Sequence, residues 1–318
     1  MGKIYDALRK TAPNEISDTV GPMLEDQSAG PVAVSSADIG TDVAAVLRGG
    51  DVVEAEPQAA AKRADRSRVE YIPVVDSRTV CLRIADVTPV LPFDETDNRA
   101  AEQYRIIRTR LISHPKQPST ILISSAGPGD GKSVSAINVA GALSLKTEAR
   151  VLLMDADFRR SSIHTQLGIS RSPGIAEVLT GAATLEQVIV RSPAFPNLYI
   201  APAGEPHANP SELLDSTAWR TLSEQVRGSF RYVIMDSPPV GCVADYELLQ
   251  ATCDGVVLVV RPDHTKRQAC LNALSVVPKD KLLGVIMNCV SDWPLGHDYS
   301  YMYYHKSPPA KGRTAEAP

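Results

Sequence analysis

Six strand-length runs, TILISS (120–125), RVLLMD (150–155), LYIAPA (198–203), YVIMD (232–236), GVVLVV (255–260) and LLGVIMN (282–288), are apolar without alternation. A strand wetted on one face alternates polar with apolar residues. An unbroken apolar run needs cover on both faces, as in a parallel sheet sandwiched between helices. Helix-like stretches at 133–146, 211–227, 244–252 and 265–277 fall between the runs, so the pattern predicts a doubly wound, mostly parallel α/β domain. Aromatic residues make up 5% of the chain against 43% hydrophobic residues, which leaves Ala, Val, Leu and Ile to build the core.

The remaining composition excludes several function classes. The five cysteines (Cys81, Cys242, Cys253, Cys270 and Cys289) are odd in number and contain no CxxC pair, so neither a disulfide framework nor a zinc ribbon is expected. No apolar stretch approaches the roughly 18–20 residues of a membrane helix. A formal net charge of −4 gives no general attraction to nucleic acid, which is not expected as a partner. Residues 1–90 hold 10 basic and 14 acidic residues and few sustained apolar patterns, whereas residues 91–318 balance at 23 of each. The expected organisation is a flexible N-terminal arm (1–90), a folded domain (91–298) and a C-terminal tail (299–318).

The first strand runs directly into Ala126-Gly127-Pro128-Gly129-Asp130-Gly131-Lys132-Ser133 and then into a helical pattern. This fits the phosphate-loop spacing GxxxxGK[ST] with Ala at its first position. Glycines let the backbone curl so that successive N–H groups point inward, and the helix N-terminus adds partial positive charge. Lys132 is then placed to reach the β- and γ-phosphates of ATP and Ser133 to ligate Mg²⁺. Three acids stand at strand ends, where open parallel sheets bind their ligands: Asp155 and Asp157 after one strand and Asp236 after another. Three carboxylates beside a phosphate loop call for a cation, and Mg²⁺ with its waters is the simplest.

SSAGPGDGKS, VLLMDADFRR and YVIMDSPP resemble, in order, the Walker A, Walker A-prime and Walker B motifs of the bacterial tyrosine kinases, the autokinases of capsule and exopolysaccharide systems. AEQYRIIRTRL, PGIAEVLTG and ANPSELLDS extend the similarity over roughly residues 94–304. The resemblance implies a P-loop NTPase fold of the deviant Walker A type and a protein-tyrosine kinase that uses ATP and Mg²⁺. It implies catalytic roles for Lys132, Asp155 and Asp157, nucleotide contacts at Gly127, Gly129, Asp130, Gly131, Lys132, Ser133, Val134, Arg261 and Asn288, and metal contacts at Ser133, Asp157 and Asp236. Glu102, Arg105 and Arg108 follow an ExxRxxR pattern that the family uses for ring-like self-assembly. Cys289 stands where the family commonly has Arg.

Tyr299, Tyr301, Tyr303 and Tyr304 put four of the ten tyrosines within six residues, at spacings that do not form one helical face. They resemble the C-terminal autophosphorylation cluster of the same family. The resemblance also implies a membrane-embedded chain-length regulator as partner, a cognate tyrosine phosphatase, and a cytoplasmic location held against the inner face of the membrane through the partner. Two other readings stay open at this point: a ParA- or MinD-like ATPase switch, which a lysine at position 127 would favour, and an ATP-binding assembly scaffold without catalysis.

Overall fold

The computed structural model describes residues 32–35, 78–83, 98–145 and 149–290. The strands are β1 (Val32–Ser35), β2 (Arg78–Thr79), β3 (Thr120–Ser125), β4 (Val151–Asp155), β5 (Val190–Ser192), β6 (Phe195–Ala201), β7 (Tyr232–Asp236), β8 (Gly255–Val260) and β9 (Leu282–Met287). They form one sheet in the order β1-β9-β8-β3-β7-β4-β6-β5-β2. The six strands from β9 to β6 are mutually parallel. β1 lies antiparallel to β9, and β5 lies antiparallel to β6 with β2 parallel to it.

The helices are α1 (Asn98–Ile112), α2 (Lys132–Ser144), α3 (Ile163–Leu167), α4 (Ile175–Leu179), α5 (Leu185–Val188), α6 (Pro210–Leu214), α7 (Thr217–Ser229), α8 (Asp245–Thr252) and α9 (Arg267–Val276). Successive strand residues point to opposite faces, and the core divides accordingly. On one face Ile121, Ile123, Leu153 and Ile234 pack with Tyr104 and Ile107 of α1 and Ile137 and Leu143 of α2. On the other, Leu122, Met154, Met235 and Leu258 pack with Trp219 and Val226 of α7 and Tyr246 and Leu249 of α8. β3, β4, β7 and β8 are buried throughout, the condition that unbroken apolar runs require.

Two parts of the segment read as a flexible arm are strands, β1 and β2, at opposite edges of the sheet. VAVS and RT are too short to register as a pattern, and their pairing partners lie far along the chain. The helical stretch at 211–227 divides in two, because Ser216 takes an extended conformation and its hydroxyl caps α7 by accepting the Trp219 N–H at 3.2 Å. The tyrosine cluster lies outside the described residues.

The parallel strands carry all the site-forming ends to one edge. β3 sits between β8 and β7, so the loop after β3 has the ends of β8 and β9 on one side and those of β7, β4 and β6 on the other. Among the described residues no helix is long and apolar enough to cross a membrane.

Candidate nucleotide site

The loop between β3 and α2 curls through two left-handed residues, Gly129 (φ 84°) and Gly131 (φ 85°). A side chain at 131 is disfavoured by that conformation, and its Cβ would push aside the Asn288 side-chain amide. Among the described residues, the backbone amides of Gly129, Asp130 and Gly131 donate to no other protein group. α2 begins at Lys132 without a side-chain cap, so its first N–H groups also lack an intrahelical partner. The loop and helix end therefore present a set of uncommitted donors in the field of a helix N-terminus, the physical requirement for holding a polyphosphate.

Lys132 Nζ reaches away from these donors to the acids, 2.8 Å from Asp157 Oδ2 and 3.4 Å from Asp236 Oδ1, with Ser133 Oγ at 3.3 Å. Burial alone lowers the Lys132 pKa, but the charges of Asp236 and Asp157 outweigh it and hold the ammonium above its ordinary value. Asp155 and Asp236 are register partners at the ends of β4 and β7, and both are fully buried. Burial and then the Asp236 charge push the Asp155 carboxyl up to about 8, against the stabilising backbone bond from Ile163. Burial likewise raises Asp236, with Lys132 pulling the other way.

The oxygens of these acids are unevenly used. Asp155 Oδ2 accepts the amides of Ser162 and Ile163, both at 3.1 Å, and Asp157 Oδ1 accepts the Arg160 amide at 2.9 Å. Asp155 Oδ1 and Asp236 Oδ2 are buried without a partner. A buried carboxylate oxygen without a donor is costly. Two of them beside one lysine fit a divalent cation with its waters. Among the described residues no three His, Cys, Asp or Glu side chains form a ready cation cage. Mg²⁺ does not require one, because it keeps several waters and binds through one or two carboxylates together with substrate phosphates.

The structure brings Lys132, Ser133, Asp155, Asp157 and Asp236 into one cluster, and the other expected nucleotide residues lie along its β8 and β9 side. Asn288 donates its side-chain amide to the Asp130 carbonyl at 3.1 Å, and the Arg261 amide donates to Thr265 Oγ1 at 2.9 Å. Gly127 donates its amide to Asp130 Oδ2 at 2.9 Å, and Val134 lies in the first turn of α2. Glu102 and Arg105 pair with each other at 3.1 Å on α1, and Arg108 donates to the Ala142 carbonyl at 3.4 Å. Sequence reasoning missed Arg159, whose guanidinium makes a two-pronged bond to buried Asp245 at 2.8 and 3.0 Å and ties the β4 loop to α8. It also missed Thr265 and His264, which contact Asp130. No local pattern marks these residues, since each partner is remote in sequence.

Fold and loop together define a P-loop nucleotide-binding domain. Residues 119–277 match the protein family described as "AAA domain". The tyrosine-protein kinase YwqD of Bacillus subtilis (strain 168) is 34% identical over 203 residues, covering 63% of this chain and 85% of the relative. Among solved structures, the chimerical protein CapA2B2 matches with a TM-score of 0.61 and 26% identity over 67% of this chain and 95% of the other. The kinase domain of Escherichia coli tyrosine kinase ETK matches with a TM-score of 0.54 and 26% identity over 59% and 75%. The chain belongs to the bacterial tyrosine-protein kinase family.

Proposed function

We propose that this bacterial tyrosine-protein kinase transfers the γ-phosphoryl group of ATP, in the presence of Mg²⁺, to the tyrosine cluster Tyr299, Tyr301, Tyr303 and Tyr304 of another copy of the chain. The single observation that carries the reading is the pair of unpartnered buried oxygens, Asp155 Oδ1 and Asp236 Oδ2, on neighbouring strand ends, with Lys132 Nζ 3.4 Å from Asp236 Oδ1. Phosphoryl transfer asks for positioning and charge neutralisation more than for covalent help. The free amides of Gly129–Gly131 and the α2 N-terminus hold the phosphates, and Lys132 swings from the acids onto them. Ser133, Asp157 and Asp236 would hold Mg²⁺ or its waters, which would supply charge neutralisation for the phosphates.

Asp155 accepts the phenol proton. Burial and the Asp236 charge raise this carboxyl, which makes its ionised form a stronger acceptor for the phenol proton, and a cation bound at Asp236 would help to keep it ionised. In this reading the kinase regulates capsule or exopolysaccharide polymerisation and export, works against the inner face of the membrane through a chain-length regulator, and is reversed by a cognate phosphatase. It assembles as a ring-like oligomer through Glu102, Arg105 and Arg108. These system-level assignments rest on the motif resemblance and family membership.

The test is incorporation of labelled phosphate from ATP into the full chain and into Lys132→Met, followed by mass mapping of residues 299–304. Labelling is expected to fall by at least about a hundredfold in the variant, the scale on which loss of one charge-stabilising group acts. Equal labelling of the two, or labelling that spares the cluster, rules the proposal out.

A further inference from the structure

Asp130 is an unexpected residue for a phosphate cradle, because its carboxylate adds negative charge where a triphosphate is to bind. Its side chain is nevertheless wholly buried, and every oxygen it carries is engaged. Oδ2 accepts the Gly127 amide at 2.9 Å. Oδ1 accepts the Thr265 hydroxyl at 2.7 Å and lies 3.1 Å from His264 Nδ1. The main-chain carbonyl accepts the Asn288 side-chain amide at 3.1 Å.

Thr265 works in both directions. Its Oγ1 donates to Asp130 and accepts the Arg261 amide at 2.9 Å, while its own amide donates back to the Arg261 carbonyl at 2.8 Å. Asn288 is anchored in turn through its amide to the Val260 carbonyl at 2.8 Å. The loops after β3, β8 and β9 are thus stitched together at Asp130. A carboxylate satisfied in this way no longer faces the ligand as a free charge, and its bond to the Gly127 amide draws the loop into the curl that leaves the amides of Gly129, Asp130 and Gly131 free.

We propose that Asp130, relayed through Thr265, is a positioning residue: it holds the phosphate loop in its ligand-ready curl and locks it to the loop that follows β8. The inference rests on the nucleotide-binding reading above. It predicts that the relay governs affinity for the phosphate chain itself, whatever base is attached.

The full chain, Thr265→Val, Thr265→Ser and Asp130→Asn are compared by titration calorimetry with ADP and with inorganic tripolyphosphate, each with Mg²⁺. Thr265→Val is expected to bind both about five- to tenfold more weakly, the size of one typical net hydrogen bond, and to raise the KM for ATP more than it lowers kcat. Thr265→Ser restores the hydroxyl and is expected within about twofold of the parent chain. Asp130→Asn keeps an acceptor for only one of the Gly127 amide and Thr265 hydroxyl and is also expected to bind more weakly; it provides the test should Thr265→Val fail to fold.

Parent-like affinity in Thr265→Val, failure of Thr265→Ser to restore it, or tighter binding by Asp130→Asn overturns the proposal. The last result would show that relief of charge repulsion outweighs any bracing. A lower melting temperature in the unliganded variants with unchanged affinities marks a purely structural role and overturns it too. Absence of binding by the parent chain overturns the nucleotide-binding reading together with this one, whereas parent binding with unaffected variants overturns this one alone.

Discussion

Asp155 couples the site to pH. Its carboxyl is pushed up to about 8 in the folded chain, mainly by burial, whereas an unfolded carboxyl titrates near 4. The folded state therefore binds this proton more tightly. The stabilisation is fully present below about pH 4 and is lost as pH rises toward about 8. Asp236 acts in the same sense. His114 and His164, both lowered by burial, act oppositely below about 6.5, so a comparison with a variant is needed to isolate Asp155. Asp155→Asn keeps an oxygen for the Ser162 and Ile163 amides and turns an NH₂ toward Asp236. Relative to the parent chain, its melting temperature without ligand is expected to rise by at least about 3 °C between pH 5 and pH 8. A difference that stays constant across that range refutes the assignment. The strand-end acids were legible in the sequence because a carboxylate after an apolar run marks the ligand-binding edge of a parallel sheet. The bracing role of Asp130 was not, since its partners Thr265 and Asn288 lie 135 and 158 positions away.

At the scale of elements, β3, β4, β7 and β8 were legible because burial on both faces writes an unbroken apolar run. β1, β2 and β5 have two to four residues each and owe their existence to a neighbour's free backbone groups, which leaves no local signature. The PGIAEVLTG stretch shows how a short element is held. Glu177 of α4 accepts the Gly174 amide at 2.7 Å, the Glu205 amide at 3.0 Å and the Ser172 hydroxyl at 3.0 Å, joining the loop before α4 to the loop after β6. The two loops meet backbone to backbone at Gly174, where a Cβ would collide with the Gly204 nitrogen and the Pro202 carbonyl oxygen. Backbone does not yield as the tip of a flexible side chain does. Gly174→Ala is expected to cost about 1–3 kcal/mol. A urea titration checks this: the midpoint should fall while the slope stays the same, and an unchanged midpoint shows that the approach is looser than described.

Across the whole molecule, the α1 charges allow self-assembly to be tested apart from stability. Glu102 and Arg105 lie one turn apart, with 37% and 36% of their side chains exposed, and pair at 3.1 Å. A partly exposed pair of this kind contributes about 0.3–0.5 kcal/mol to its own helix. Arg108 differs, because it donates to the Ala142 carbonyl near the C-terminal end of α2 and so joins two helices of the folded domain. Replacing Glu102 and Arg105 by Ala while keeping Arg108 therefore leaves α1 packed through Tyr104, Ile107 and Leu111. The double variant is expected to melt within about 2 °C of the parent chain. If this face joins one copy to the next, the mass measured by light scattering at equal concentration should fall from that of an oligomer toward that of a single chain. An unchanged oligomer mass removes Glu102 and Arg105 from the interface, and a monomeric parent chain shows that assembly needs another component.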